Sequence, residues 1–117
     1  MEEVTIQEQT RLARIECDRV LRSYRQMNDV LLSSRSYGRA FGDDDKLDEA
    51  DMRVQMFAIR SAILEVEDSR ERLFLYHYYI KGHTLEACAK ILGISRRSIF
   101  RLKGKALDKI AQKINSI

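Results

Sequence analysis

Residues 84–105 read Thr84-Leu85-Glu86-Ala87-Cys88-Ala89-Lys90-Ile91-Leu92-Gly93-Ile94-Ser95-Arg96-Arg97-Ser98-Ile99-Phe100-Arg101-Leu102-Lys103-Gly104-Lys105. This stretch decides the fold, because it writes two helices and the corner between them. Thr84 offers a side-chain oxygen to cap a first helix that runs to Leu92. Gly93 breaks that helix, since glycine alone takes a positive φ without steric cost. Ile94 plugs the turn and Ser95 caps the second helix. Leu85, Cys88 and Leu92 form the inward stripe of the first helix, and Ile99 and Leu102 that of the second. Ala89, four residues before Gly93, is small where the helices must cross. Arg96, Arg97, Phe100, Arg101 and Lys103 are left to face outward, and Lys105 adds a further cation. A tight corner followed by a cationic helix has the shape that enters a DNA major groove.

Charge is distributed to match. The 117-residue chain has a formal net charge of +3. By segment the balance is +1 over residues 1–41, −5 over 42–72, +1 over 73–83 and +6 over 84–117. Basic charge thus gathers in the C-terminal third, where a polyanion would bind. With 44% hydrophobic and 33% charged residues the chain suits a folded protein. It has no proline and five glycines, which favours long uninterrupted helices, since proline costs roughly 3 kcal/mol in a helix interior. No apolar run approaches the roughly 20 residues of a membrane span. The acidic Met1-Glu2-Glu3 start does not read as a signal peptide. The expectation is a cytoplasmic protein with no membrane partner. Cys17 and Cys88, each among apolar helical neighbours, read as buried thiols and not as a disulfide or metal pair.

Upstream of the corner the pattern is also helical. Ile6, Thr10, Ala13, Cys17, Val20, Tyr24, Met27 and Leu31 recur at alternating steps of four and three, a coiled-coil seam in a helix over about Thr5–Ser33. Ser33–Gly42 reads as a loop. Asp43-Asp44-Asp45 then lead into a helix over about Leu47–Val66, where acids complement the positive helix start. An EF-hand reading of these aspartates fails, because the glycine and glutamate positions would hold Asp48 and Val54. Met52, Met56, Ile59, Ile63 and Val66 form a second seam, widened by Phe57 and Leu64. Two seams joined by a loop predict an antiparallel helical hairpin. The first seam is either intrachain core or a face for a second copy of the chain. A third helix from about Asp68 to Ile80 precedes the corner, ended by Lys81-Gly82-His83. The fold class is all-α: an N-terminal long helical hairpin over residues 1–66, serving dimerisation or partner contact, then a helix-turn-helix over 67–117.

At the corner the sequence resembles a known family. TLEACAKILGISRRSIFRLKGKALDKI is similar to region four of bacterial sigma factors, and AILEVEDSRERLFLYHYYIKGHT resembles the helix before it. The resemblance covers about Ala62–Ile110. The whole chain looks most like small phage and prophage transcriptional regulators of the ArpU and RinA type. The expected DNA contacts are the caps and outward residues of the corner, Thr84, Ser95, Arg96, Arg97, Phe100, Arg101, Lys103 and Lys105, and the resemblance bears on three of them. Arg96 falls where the family has an arginine used on DNA. Arg97 stands where it has a glutamate that reads a base edge. That exchange of acceptor for donor moves the expected preference from cytosine toward guanine. Phe100 replaces a promoter-contacting arginine and offers only apolar contact. The docking mode carries over; the target sequence does not, and no complete sigma factor is expected.

Other features weigh less. Tyr76-His77-Tyr78-Tyr79 could stack on bases, but a split between core and surface is the stronger reading. His77 and His83 lack partners at ligand spacing, so no metal is expected. Lys109 and Lys113 are either phosphate contacts or a solvated face. No catalytic constellation and no cofactor loop are found. The chain reads as a non-enzymatic, sequence-specific double-stranded DNA-binding regulator whose helix from about Ser95 to Lys109 lies in the major groove. A homodimer through the N-terminal helices is the assembly expected if the first seam is an interface and not intrachain core. Two alternatives stand beside it: an adaptor that binds RNA polymerase through the sigma-like module, and a small-terminase-like subunit that recognises DNA for packaging.

Overall fold

The computed structural model describes the backbone of residues 5–36 and 43–115 and the side chains of residues 5–33 and 49–114. Of the loop expected over Ser33–Gly42, Ser33–Ser36 are helical instead, because the first helix runs on by one turn; residues 37–42 and the side chains of Asp43–Asp45 lie outside the described residues. The described elements are all helical: α1 (Ile6–Ser36), α2 (Asp43–Leu64), α3 (Ser69–Leu75) running on into a π-helical turn (Tyr76–Ile80), α4 (Leu85–Leu92) and α5 (Arg96–Asn115). None of these helices is long and apolar enough to cross a membrane.

The hairpin and the corner share one hydrophobic core. Cys17, Leu21, Tyr24 and Met27 of α1 and Ile59, Ala62 and Ile63 of α2 are buried in a single cluster with Phe74, Leu75, Tyr79, Cys88, Ile99 and Ile110. The middle of the α1 seam therefore faces inward. Its beginning does not: Ile6 and Ala13 are exposed and Thr10 is only half-buried. Leu21, beside Val20 but off the seam, is fully buried. The α2 seam is corrected too. Ile59, Ile63 and Val66 are buried as expected, but Phe57 and Leu64 are 73% and 59% exposed. They sit off the buried stripe, on the side of α2 turned away from the core. Both thiols are free and buried. Burial first, then Asp18 and Asp108 nearby, push the Cys17 thiol up to about 11. Burial also raises that of Cys88.

Between the hairpin and the corner, Asp68 caps α3 by accepting from the backbone N–H of Glu71. The helix then widens: Lys81 N–H donates to Tyr76 O at 3.0 Å and His83 N–H to His77 O at 3.0 Å. Gly82 ends it at φ +76, and a Cβ there would collide with the Arg25 guanidinium of α1. The tyrosines of this turn are packing residues. Tyr79 is buried, and Tyr78 stacks on Phe74 at 5.3 Å and meets Tyr79 edge-on at 4.8 Å.

Asp18 of α1 ties these elements together. It accepts from Tyr79 Oη at 2.5 Å and from Arg22 Nε at 2.7 Å, and Lys103 Nζ of α5 lies 3.9 Å away. Burial works to raise the Asp18 carboxyl, but the hydrogen bonds from Tyr79 and Arg22 and the charge of Lys103 outweigh it, and it titrates below its ordinary value. A depressed carboxylate stabilises the fold above its unfolded pKa, near 4, and that contribution disappears as pH falls through the folded value. Asp18→Ala strands the buried Tyr79 hydroxyl and is expected to cost about 1–3 kcal/mol in urea denaturation at neutral pH. Asp18→Asn, which can still accept from Tyr79, should cost less and flatten the loss of stability below pH 4.

Candidate nucleic-acid interface

The corner forms as the residues dictate. Thr84 Oγ1 accepts from the Ala87 N–H at 3.1 Å and opens α4. Gly93 closes it at φ +67. Ile94 N–H reaches back to Ala89 O at 3.0 Å and Gly93 N–H to Lys90 O at 3.2 Å, the paired bonds of a Schellman motif. Ser95 Oγ accepts from the Ser98 N–H at 3.1 Å and donates to Ser98 Oγ at 2.9 Å, opening α5. Ala89, Cys88 and Ile99 are buried where the two helices cross, with Leu85, Leu92, Ile94 and Leu102 packed around them.

This frame presents Arg96, Arg97, Phe100 and Arg101 to solvent on the first two turns of α5. Phe100 is 54% exposed. None of the three arginines has an acidic partner among the described residues. Lys103 is a correction to the expected outward set. Its side chain is only 22% exposed, held near Asp18 and 5.1 Å over the Tyr78 ring. At position 103 the helix has turned its face toward α1, so this cation serves the core side. Lys105 is exposed, on a flank where it acts on Glu71.

Beyond Arg101 the outward face is crossed by α1. Arg14 makes a two-pronged bond to Asp108, Nε to Oδ1 at 2.7 Å and Nη2 to Oδ2 at 2.6 Å, and its guanidinium lies against Gly104. The far end of α5 meets acids: Lys109 and Lys113 line a groove with Glu67, Asp68 and Glu71. Glu71 is buried, with Oε2 unpartnered among the described residues, and burial raises its carboxyl against the pull of Lys109 and Lys105. The surface open to a polyanion is therefore shorter than Ser95–Lys109 and centres on Ser95–Arg101. A second group of cations escapes sequence reasoning. Thr84 shares a groove of about 450 Å³ with Arg22 and Arg25 of α1 and with His83. The arginine spacing in α1 carries no sign of this, because it depends on where α1 crosses the loop at Gly82.

Residues 64–112 match the family Sigma-70, region 4. The match takes in α3, the π-turn, α4 and most of α5, and leaves α1 and nearly all of α2 outside. The corner is thus a sigma region-four-like helix-turn-helix joined to a helical hairpin that the match does not reach. No curated protein and no solved structure matches the chain.

A Cβ built on Gly93 meets nothing within 4 Å. Gly93→Ala should therefore cost only the left-handed backbone penalty of about 1–2 kcal/mol, read as a lower urea midpoint with an unchanged slope. A larger loss would mean that the corner is sterically tighter than this geometry allows.

Proposed function

We propose that the chain is a sequence-specific double-stranded DNA-binding regulator of transcription, encoded by a phage or prophage and acting in the bacterial cytoplasm. One observation carries the reading. Three arginines without acidic partners among the described residues, Arg96, Arg97 and Arg101, project from the capped start of α5, the second helix of a helix-turn-helix in a segment similar to Sigma-70, region 4. Recognition helices meet base edges with their N-terminal residues, and arginine is suited to the paired acceptors of guanine. Arg96, Arg97 and Arg101 read bases or adjacent phosphates, with Phe100 against a thymine methyl. Thr84, Ser95 and Lys105 meet phosphate. Lys103 contributes through its field more than by direct touch. Arg25, beside Thr84, adds to the phosphate-facing charge. Residues 67–117 form the DNA-binding part, and residues 1–66 serve partner contact.

The test is binding of the purified protein to a DNA site recovered by in vitro selection. Arg96→Ala with Arg97→Ala should cost about 1–3 kcal/mol for each base that is no longer read. Each phosphate left without its cation should also reduce the salt slope by about 0.9. Equal binding by the double variant and the wild type at matched salt would refute the assignment.

Phe100 supports a second reading, in which the module docks on RNA polymerase. An apolar ring exposed among cations suits a protein groove as well as a methyl group. Retention of polymerase by the protein, with no DNA binding unless polymerase is present, would favour this reading.

A further inference from the structure

The outer side of α2 carries a second heptad seam. Ala50, Val54, Phe57, Ser61 and Leu64 follow one another at steps of four, three, four and three, the period at which two helices supercoil. These residues lie opposite Met52, Met56, Ile59 and Ile63, which pack toward the core. Val54 is 67% exposed, alongside the exposed Phe57 and Leu64. Phe57 is a crest between two grooves, one shared with Tyr24 and Leu31 of α1 and the other with Gln112 and Lys113 of α5. A helix so placed is apolar on both faces; the inner one is covered within the chain, and of the outer one only Ser61 is half-buried, in the groove beside α5.

We propose that this outer seam is covered by the same seam of a second copy, in a parallel, in-register two-stranded coiled coil. The occupant and its direction follow from charge. With Val54 and Ser61 at the a positions, and Ala50, Phe57 and Leu64 at d, the flank before each a position carries Arg53 and Arg60. The flank after each d position carries Asp51, Ala58 and Glu65. In a parallel pair these two flanks face each other, and Arg60 of one copy meets Glu65 of the other. In an antiparallel pair each flank meets its own kind, so Arg53 and Arg60 face arginines. Arg60 and Glu65 have no ion-pair partner among the described residues, and a spacing of five puts them out of each other's reach within one helix. Arg53 already pairs with Glu49 at 2.8 Å. β-Branched Val54 at a and Leu64 at d also suit two strands. The backbone N–H of Glu65 donates to Ser61 O at 3.1 Å, which extends the helical path to the end of the seam.

This pairing does not depend on the DNA-binding reading, and it is tested without DNA. In sedimentation velocity the full chain should run as a dimer. Val54→Glu with Phe57→Glu, at two exposed positions, should run as a monomer with unchanged helical circular dichroism. Single Phe57→Ser should weaken self-association at least about tenfold. Under mild oxidation Ala50→Cys and Ser61→Cys should each cross-link to their own kind, because equivalent residues face each other in register. The wild type, with both native thiols buried, should not cross-link. The proposal is overturned by a monomeric wild type, or by a dimer that the substitutions leave intact. It is equally overturned if cross-links form only when the Ala50→Cys and Ser61→Cys chains are mixed, the signature of an antiparallel pair.

Discussion

The carboxylate of Asp18 is the point on which the arrangement depends. It stands on α1, yet two of its three partners come from the π-turn and from α5. A carboxylate this close to the core needs partners for its lone pairs, since an unpaired buried charge is costly. Tyr79, Arg22 and Lys103 supply them. The consequence reaches beyond stability. By fixing α1 against the π-turn, Asp18 sets where the α1 arginines lie, with Arg22 against Tyr78 and Arg25 against the Gly82 backbone. It also draws Lys103 away from the solvent face of α5.

A helix-turn-helix taken alone would expose one whole side of its second helix. Here that side is divided. Its first two turns are open and bear three arginines. Its later turns lie under α1, pinned by Arg14 on Asp108, and its end meets the acids around Glu71. The net +6 of the C-terminal third is thus not presented as one patch. A compact cluster at the corner suits a few base pairs and their flanking phosphates. A long cationic stripe would instead favour binding to any duplex.

How much of this is legible in the sequence varies with how local the cause is. The corner can be read almost residue by residue. A glycine with positive φ, two capping oxygens and a small residue at the crossing act within a few positions of themselves, and all appear in the structure as expected. The existence of helices in α1 and α2 is equally plain from periodicity. Which stripe of a helix is inside is not, where apolar residues occupy both sides. Nearness in sequence invites grouping Phe57 and Leu64 with the covered face of α2, although they belong to the outer one. Lys103 departs from expectation for a related reason: its surroundings are set by Asp18 of α1, far earlier in the chain, and no local pattern encodes that approach. The widening at Tyr76–Ile80 leaves no mark in composition either, since a π-turn differs from an α-turn only in which carbonyl each N–H selects.

The division between scaffold and readout follows from the same distinction. Ala89, Gly93, Ile94 and Ile99 are constrained from both sides, by the backbone angle at the corner and by the core behind it, and they keep the pattern of the sigma-like module. Arg97 and Phe100 face solvent and are constrained by neither. They can differ from that pattern at no cost to the fold, and they do: a donor stands in place of an acceptor, and an apolar ring in place of a cation. Exchanging acceptor for donor changes which base edge can be satisfied, because a buried donor facing a donor loses its hydrogen bond and its hydration together. On the proposed DNA-binding reading, the fold sets how this helix is presented, whereas the choice of bases rests on side chains that the fold leaves free to vary.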